Sequence, residues 1–217
     1  MRPKMDLSLY LVTDRDLMTT PTLEEAVEEA ISGGVTLVQL REKKASSRDF
    51  YELAVRIKAV TDRHEIPLIV NDRADIALGA HAAGVHVGQS DIPAKVAREI
   101  MGDDKIVGVS VSNAQEAIKA QEDGADYLGV GPMFSTDTKK DAEPVSFEEF
   151  LRIRESVHIP IVVIGGINEN TISAFKGVDI QGIAVVSAIM AAKDVSGKAR
   201  RLRDLAGEII FGNPKPK

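Results

Sequence analysis

Short apolar runs punctuate the chain: Leu7–Thr13, Thr36–Arg41, Pro67–Asp72, Gly84–Gly88, Ile106–Val111, Tyr127–Gly131, Pro160–Gly165 and Gly182–Ser187. They are rich in Val and Ile and nearly continuous in apolar character, which suits strands buried on both faces of a parallel sheet. Amphipathic segments separate them. Thr22, with Glu25 three residues on, predicts a capped helix over Leu23–Ser32. Ser46 and Ser47 precede a long helical segment, Arg48–His64, and Asn113 precedes Ala114–Asp123. Ser146, again with a glutamate three residues later, precedes Phe147–Val157, and Val195–Ile209 forms the last helix. Residues 212–217 read as a frayed tail.

Strands alternating with helices imply right-handed βαβ crossovers and a parallel sheet. Eight such units in 217 residues give about 27 residues each, near the short end of the size range of a closed (β/α)8 barrel. The expected fold is therefore α/β, a single (β/α)8 TIM barrel over residues 1–217. A doubly wound open sheet is the rival, but no G-x-G-x-x-G follows the first strand.

Composition narrows the chemistry. With 44% hydrophobic and 28% charged residues the balance is that of an ordinary globular chain. A net charge of −6 argues against nucleic acid as a partner, which wants a basic face. There is no cysteine, so thiolate catalysis, disulfides, iron–sulfur clusters and cysteine–zinc sites are excluded. No stretch approaches the ~18 apolar residues of a membrane span, and Met1–Ser8 has no apolar run of signal-peptide length. The expectation is a cytoplasmic protein with small-molecule partners, no nucleic acid and no membrane; homo-oligomerisation is compatible with all of this.

In such a barrel the chemistry sits at the carboxyl ends of the strands. The second run ends Gln39-Leu40-Arg41-Glu42-Lys43, where residues 39, 41 and 43 share parity and would face the mouth as an anion site. The third ends Asn71-Asp72-Arg73 and the fourth Gly88-Gln89-Ser90-Asp91. Adjacent strands are ~4.8 Å apart, so Asp72 and Asp91 can approach closely. Two such anions repel by about 1–4 kcal/mol, a cost that a hard cation removes; two carboxylates plus phosphate oxygens and water is the usual setting of Mg²⁺. Helix capping by each aspartate is the other reading. The connection after the sixth strand, Met133 to Asp141, alternates hydroxyls with an acid and then carries Lys139 and Lys140, the composition of a lid over an anionic ligand. Gly165-Gly166 and Val186-Ser187 end the last two runs, where this fold recurrently cradles phosphate. The histidines, His64, His81, His86 and His158, read as structural or solvated.

Taken together, Val38-Gln39-Leu40-Arg41-Glu42-Lys43, Asn71-Asp72-Arg73, His86-Val87-Gly88-Gln89-Ser90-Asp91, Gly108-Val109-Ser110, Thr136-Asp137-Thr138-Lys139-Lys140-Asp141, Gly165-Gly166-Ile167 and Val186-Ser187 resemble the thiamine-phosphate synthase family, in a superfamily shared with thiazole tautomerases. The resemblance spans about Leu9 to Met190. It implies a transferase that couples 4-amino-2-methyl-5-(diphosphooxymethyl)pyrimidine to a thiazole phosphate, giving thiamine phosphate and pyrophosphate. By position it implies that Gln39, Arg41, Lys43, Asn71, Ser110 and Lys139 hold the pyrimidine diphosphate, with Arg41, Lys43 and Lys139 also catalytic. Asp72 and Asp91 would bind Mg²⁺. Thr136, Asp137, Thr138, Gly166, Val186 and Ser187 would meet the thiazole phosphate. Ser135 stands where the family's loop often has proline.

Two alternatives remain from the sequence: a thiazole tautomerase, and a non-catalytic barrel that binds a phosphorylated ligand. A tautomerase needs a general base, and in the tautomerase-like relatives a histidine follows the fifth strand. Here that stretch reads Ser110-Val111-Ser112-Asn113, with no histidine close by in sequence. The transferase has no such demand.

Overall fold

The computed structural model describes residues 4–135, 143–210 and 212. Eight strands, each paired in parallel with its neighbours in chain order, close into a barrel. They are β1 (Leu9–Val12), β2 (Leu37–Leu40), β3 (Leu68–Asn71), β4 (Gly84–Val87), β5 (Ile106–Val111), β6 (Tyr127–Val130), β7 (Ile161–Val163) and β8 (Gly182–Val185). Closure comes from β1 pairing with β8, Tyr10 lying opposite Ala184. The expected (β/α)8 architecture is the one observed.

The apolar runs are continuous because each strand is buried twice. Leu9, Leu11, Val38, Leu40, Leu68 and Val70 point outward into the shell shared with the helices. Tyr10, Val12, Leu37, Ile69, Ile106, Tyr127, Val162 and Ala184 point inward and fill the barrel. The two sets alternate along the chain, as the two-residue period of a strand requires.

The helices are α1 (Leu23–Ser32), α2 (Ser47–Arg63), α3 (Ala74–Gly79), α4 (Ala94–Met101), α5 (Ala114–Glu122), α6 (Phe147–Ser156), α7 (Ser187–Met190) and α8 (Val195–Ile209). Four carry the caps that their sequences announce. Thr22, Ser46, Asn113 and Ser146 accept from the N–H of Glu25, Asp49, Glu116 and Glu149 at 3.2, 3.2, 2.9 and 3.1 Å. Each satisfies one orphan donor of a helix start. Glu149 also reaches beyond its own helix: its Oε1 accepts from the N–H of Ala114 at 2.9 Å, tying α6 to the start of α5.

The alternation is broken once. After β7 the expected helix is a single 3₁₀ turn, Ile172–Phe175. Polar side chains ahead of it compete for the backbone. Thr171 Oγ1 donates to the Gly166 carbonyl at 2.9 Å and accepts from the Asn168 N–H at 2.9 Å, while Asn168 Oδ1 accepts from the Asn170 N–H at 2.9 Å. Such local bonds favour turns over helix. His81 lies past the end of α3 with a left-handed φ of 54°.

Candidate active site

A cleft opens at the carboxyl ends of the strands. It gathers residues spread over most of the chain, among them Gln39, Arg41, Asn71, Ser110, Gly166, Val186 and Ser187. Seven positions picked from strand ends thus share one cavity, as the topology dictates. Beside it lies a charged cluster made by Lys43, Asp72 and Asp91. Thr136, Asp137, Thr138 and Lys139, also expected at the site, lie outside the described residues.

Local structure places each group. β2 ends at Leu40, so Gln39 is held by the ladder and points inward, whereas Arg41 and Lys43 lie just beyond it. The backbone N–H of Arg41 donates to Thr13 Oγ1 at 3.1 Å, and its guanidinium lies 3.6 Å from Asp14 Oδ2. Arg15 pairs with Glu42 at 2.6 Å and Lys44 with Asp16 at 2.7 Å, so the loops after β1 and β2 are laced by ion pairs.

Neither aspartate caps a helix. The α3 and α4 starts fall at Arg73 and Pro93 without a side-chain cap. Asp72 sits in the left-handed region at φ 63°, a conformation that aspartate tolerates better than most residues. Its N–H donates to the His86 carbonyl at 2.8 Å, pinning the end of β3 to β4. Its carboxylate pairs with the Lys43 ammonium. Asp91 Oδ2 accepts from the Gly88 N–H at 2.8 Å, which fixes that carboxylate at the end of β4. Burial pushes the Asp72 carboxyl above the usual carboxylate range; Lys43 opposes the shift and neighbouring Asp91 adds to it. Two close carboxylates with one lysine, paired to Asp72, retain excess negative charge, so the cluster fits a hard divalent cation completed by substrate phosphates and water.

The β7 end is shaped by packing. Gly165 and Gly166 have φ values of 90° and 66°. A Cβ on Gly165 would lie 2.5 Å from Pro132 Cα, and one on Gly166 would lie 2.7 Å from Phe134 Cβ. Both glycines are therefore required where the β6 loop crosses β7. Phe134 N–H donates to the Gly165 carbonyl at 3.1 Å there. Ser187 opens the one-turn α7 on the other side of the same cleft.

The sequence did not reveal what occupies the cleft floor. His86 is buried, lines the cleft and reaches Ser110 Oγ through Nε2 at 2.8 Å. Its Nδ1 meets Tyr127 Oη at 2.9 Å, Tyr127 meets Tyr10 Oη at 2.8 Å, and Gln39 Nε2 donates to Tyr10 at 2.7 Å. Burial pushes both phenols above the ordinary tyrosine range, so both stay protonated. A histidine is thus present at the site, contrary to what sequence distance implied. Both its nitrogens are engaged, which suits it poorly to taking a proton from carbon. The signal was there in small residues opposite large ones: Gly108 is paired between His86 and Tyr127. A Cβ on Gly108 would stand 2.2 Å from Tyr127 Cζ.

The sequence profile described as thiamine monophosphate synthase matches residues 9–189. A thiamine-phosphate synthase of Clostridium beijerinckii is 62% identical over 204 residues, covering 94% of this chain and 98% of the relative. One from Clostridium botulinum is 58% identical over 204 residues, covering 94% and 96%. Among solved structures, a thiamine phosphate pyrophosphorylase from Pyrococcus furiosus superposes with a TM-score of 0.87 at 40% identity, covering 94% of this chain and 98% of that one.

Proposed function

This chain belongs to the thiamine monophosphate synthase family and catalyses thiamine phosphate formation, and from that premise we propose the assignment of its residues to the two substrates and to Mg²⁺. The pyrimidine substrate carries a diphosphate on its exocyclic methylene. Breaking that C–O bond sends the electron pair out with pyrophosphate and leaves a carbocation-like methylene, stabilised by the electron-rich aminopyrimidine. The thiazole nitrogen then donates its lone pair to form the new C–N bond.

The protein needs no nucleophile for this sequence of events. It must neutralise a leaving anion, hold two rings together and keep water out. Arg41, Lys43 and Lys139 supply positive charge to the departing diphosphate, which is where charge develops in the transition state. Asn71 and Ser110 add polar contacts, and Gln39 and Ser110 face the ring from the cleft floor. Asp72 and Asp91 would hold Mg²⁺, which when bound would supply further charge neutralisation to the leaving group. Lys43, which pairs with Asp72, stands at the edge of the cleft where its ammonium can reach the diphosphate. Gly166, Val186 and Ser187 would receive the thiazole phosphate, joined by Thr136, Asp137 and Thr138. Holding both rings in one cleft replaces an encounter in solution by an oriented collision. The lid that the sequence composition suggests for the connection after β6 would exclude water; its residues 136–142 lie outside the described ones. Doubly anionic substrates do not cross membranes, which favours a cytoplasmic setting; among the described residues no helix is long and apolar enough to cross a membrane.

The observation that supports this reading best is the Lys43–Asp72–Asp91 cluster at the edge of a cleft lined by Arg41 and Asn71. The test is incubation with both substrates, with and without Mg²⁺, and mass detection of thiamine phosphate. We expect product only with a divalent cation, and loss of most activity in Asp72→Asn and Asp91→Asn while both remain folded. Near-wild-type rates in both variants across Mg²⁺ concentrations would refute the metal assignment. Without the pyrimidine, thiazole phosphate in D₂O should show no protein-dependent tautomer conversion by proton NMR; conversion at a rate comparable to coupling would favour an isomerase.

A further inference from the structure

The line of side chains under the cleft does more than fill the barrel. Its two interior members, Tyr10 and Tyr127, are 1% and 0% exposed, so no water competes for their hydroxyls. Each phenol has one proton to give. Gln39 Nε2 donates to Tyr10 Oη at 2.7 Å. Tyr10 must then place its own proton on Tyr127, because a buried hydroxyl proton without an acceptor is costly. Tyr127, accepting from Tyr10, places its proton on His86 Nδ1. That leaves the neutral imidazole with its proton on Nε2, pointing at Ser110 Oγ. Ser110 accepts there and turns its own proton toward the cleft.

The direction is therefore common to the whole line. Reversing one bond leaves two protons facing each other or two lone pairs facing each other, so all must reverse together. At its two ends the line is thereby obliged to present opposite polarity to the cleft: the Gln39 amide oxygen as acceptor and the Ser110 hydroxyl as donor.

We propose that Tyr10, Tyr127 and His86 are positioning residues that set opposite hydrogen-bond polarity at Gln39 and Ser110, so that the cleft selects a ring offering one donor and one acceptor in that order. An amino-substituted azine does so, with its exocyclic N–H and its ring nitrogen. The corresponding oxo ring offers a carbonyl acceptor and a ring N–H, which is the reverse order, and is rejected. This rests on the reading that Gln39 and Ser110 contact the pyrimidine. Tyr127 does not line the cleft, so any effect of it on ring selection has to travel along the line, through Tyr10 to Gln39 or through His86 to Ser110.

The experiment has two arms. Long-range ¹H–¹⁵N spectra of the histidine-labelled, ligand-free protein should show His86 protonated at Nε2 and bare at Nδ1. Steady-state kinetics of Tyr127→Phe should then show the pyrimidine KM raised by about one hydrogen bond's worth, roughly tenfold. The thiazole-phosphate KM should stay unchanged, and the preference for the amino substrate over its oxo analogue, read as a competitive inhibitor, should fall by a similar factor. Tyr10 itself borders the cleft, so Tyr10→Phe, which breaks the same line at its Gln39 end, serves through the amino-over-oxo preference and not through KM if Tyr127→Phe does not fold. A wild-type His86 proton on Nδ1 overturns the proposal. So does a Tyr127→Phe enzyme with unchanged pyrimidine KM and unchanged amino-over-oxo preference when Ser110→Ala raises that KM. If Ser110→Ala itself leaves the pyrimidine KM unchanged, the assignment of Ser110 to the pyrimidine fails. The direction of the line is then decided by the His86 spectrum alone.

Discussion

Gly108→Ala places one methyl group against the centre of the interior network. The added carbon would stand 2.2 Å from Tyr127 Cζ and 2.4 Å from its Oη, where ordinary contact begins near 3.4 Å. The ring must retreat by about 1.2 Å, and the barrel interior around it is closely packed. A shift of that size takes Tyr127 Oη out of range of Tyr10 or His86, now at 2.8 and 2.9 Å. Overpacking of this kind costs about 1–3 kcal/mol, and each buried group left unpaired costs about 1–3 kcal/mol more. We expect a total loss of about 3–5 kcal/mol, a large share of the 5–15 kcal/mol typical of a domain. That corresponds to a fall in Tm of about 6–20 °C. The assay is thermal and urea unfolding of ligand-free protein, with the pyrimidine KM measured on the fraction that remains folded. A Tm within about 2 °C of wild type, together with an unchanged pyrimidine KM, would refute the reasoning by showing that the interior has slack to absorb the methyl.

Arg98 joins the amino-end loops of the barrel, donating to the Gly102, Lys105 and Gly124 carbonyls at 2.7, 2.7 and 2.9 Å and pairing with Asp126 at 2.5 Å. Arg98→Met should cost about 3–5 kcal/mol in urea unfolding, because it removes the cation from a largely buried carboxylate and the donor from three loop carbonyls, while kcat measured below the melting range stays near wild type. Gly207 lies inside α8 with no atom within 4 Å of an added Cβ; Gly207→Ala should stabilise by about 0.5–1 kcal/mol, seen as a higher urea midpoint. Because burial raises the Asp72 carboxyl, ionising it costs the folded state stability, and this cost accumulates as pH rises above the usual carboxylate range. Asp72→Asn should remove it, so in chelator at pH 7 the variant should melt no lower than the wild type, and its advantage should shrink as the pH falls toward 4.

What the sequence determined by itself was whatever depends on near neighbours. Apolar runs such as Ile106–Val111 identify strands because both faces of each must be buried. Thr22, Ser46, Asn113 and Ser146 identify helix starts because a cap acts within three residues. Alternation then implies a barrel, and a barrel collects strand ends at one mouth, which is why Gln39, Arg41, Asn71, Gly166 and Ser187 were legible as neighbours, while Ser110 entered only through the family resemblance of Gly108-Val109-Ser110. Tertiary structure decided the rest. Helix capping and a carboxylate pair were equally good readings of Asp72 and Asp91, and only the approach of β3 to β4 separates them. His86 looked like an unremarkable strand residue, since its partners Ser110 and Tyr127 stand 24 and 41 positions away. The missing seventh helix depends on side chains at Asn168 and Thr171 competing for backbone that helix periodicity alone does not weigh. Hydrophobic period and capping are local and are written in order along the chain. The direction of a hydrogen bond depends on which groups the closed barrel brings into contact across its interior, and that is fixed only when β1 meets β8.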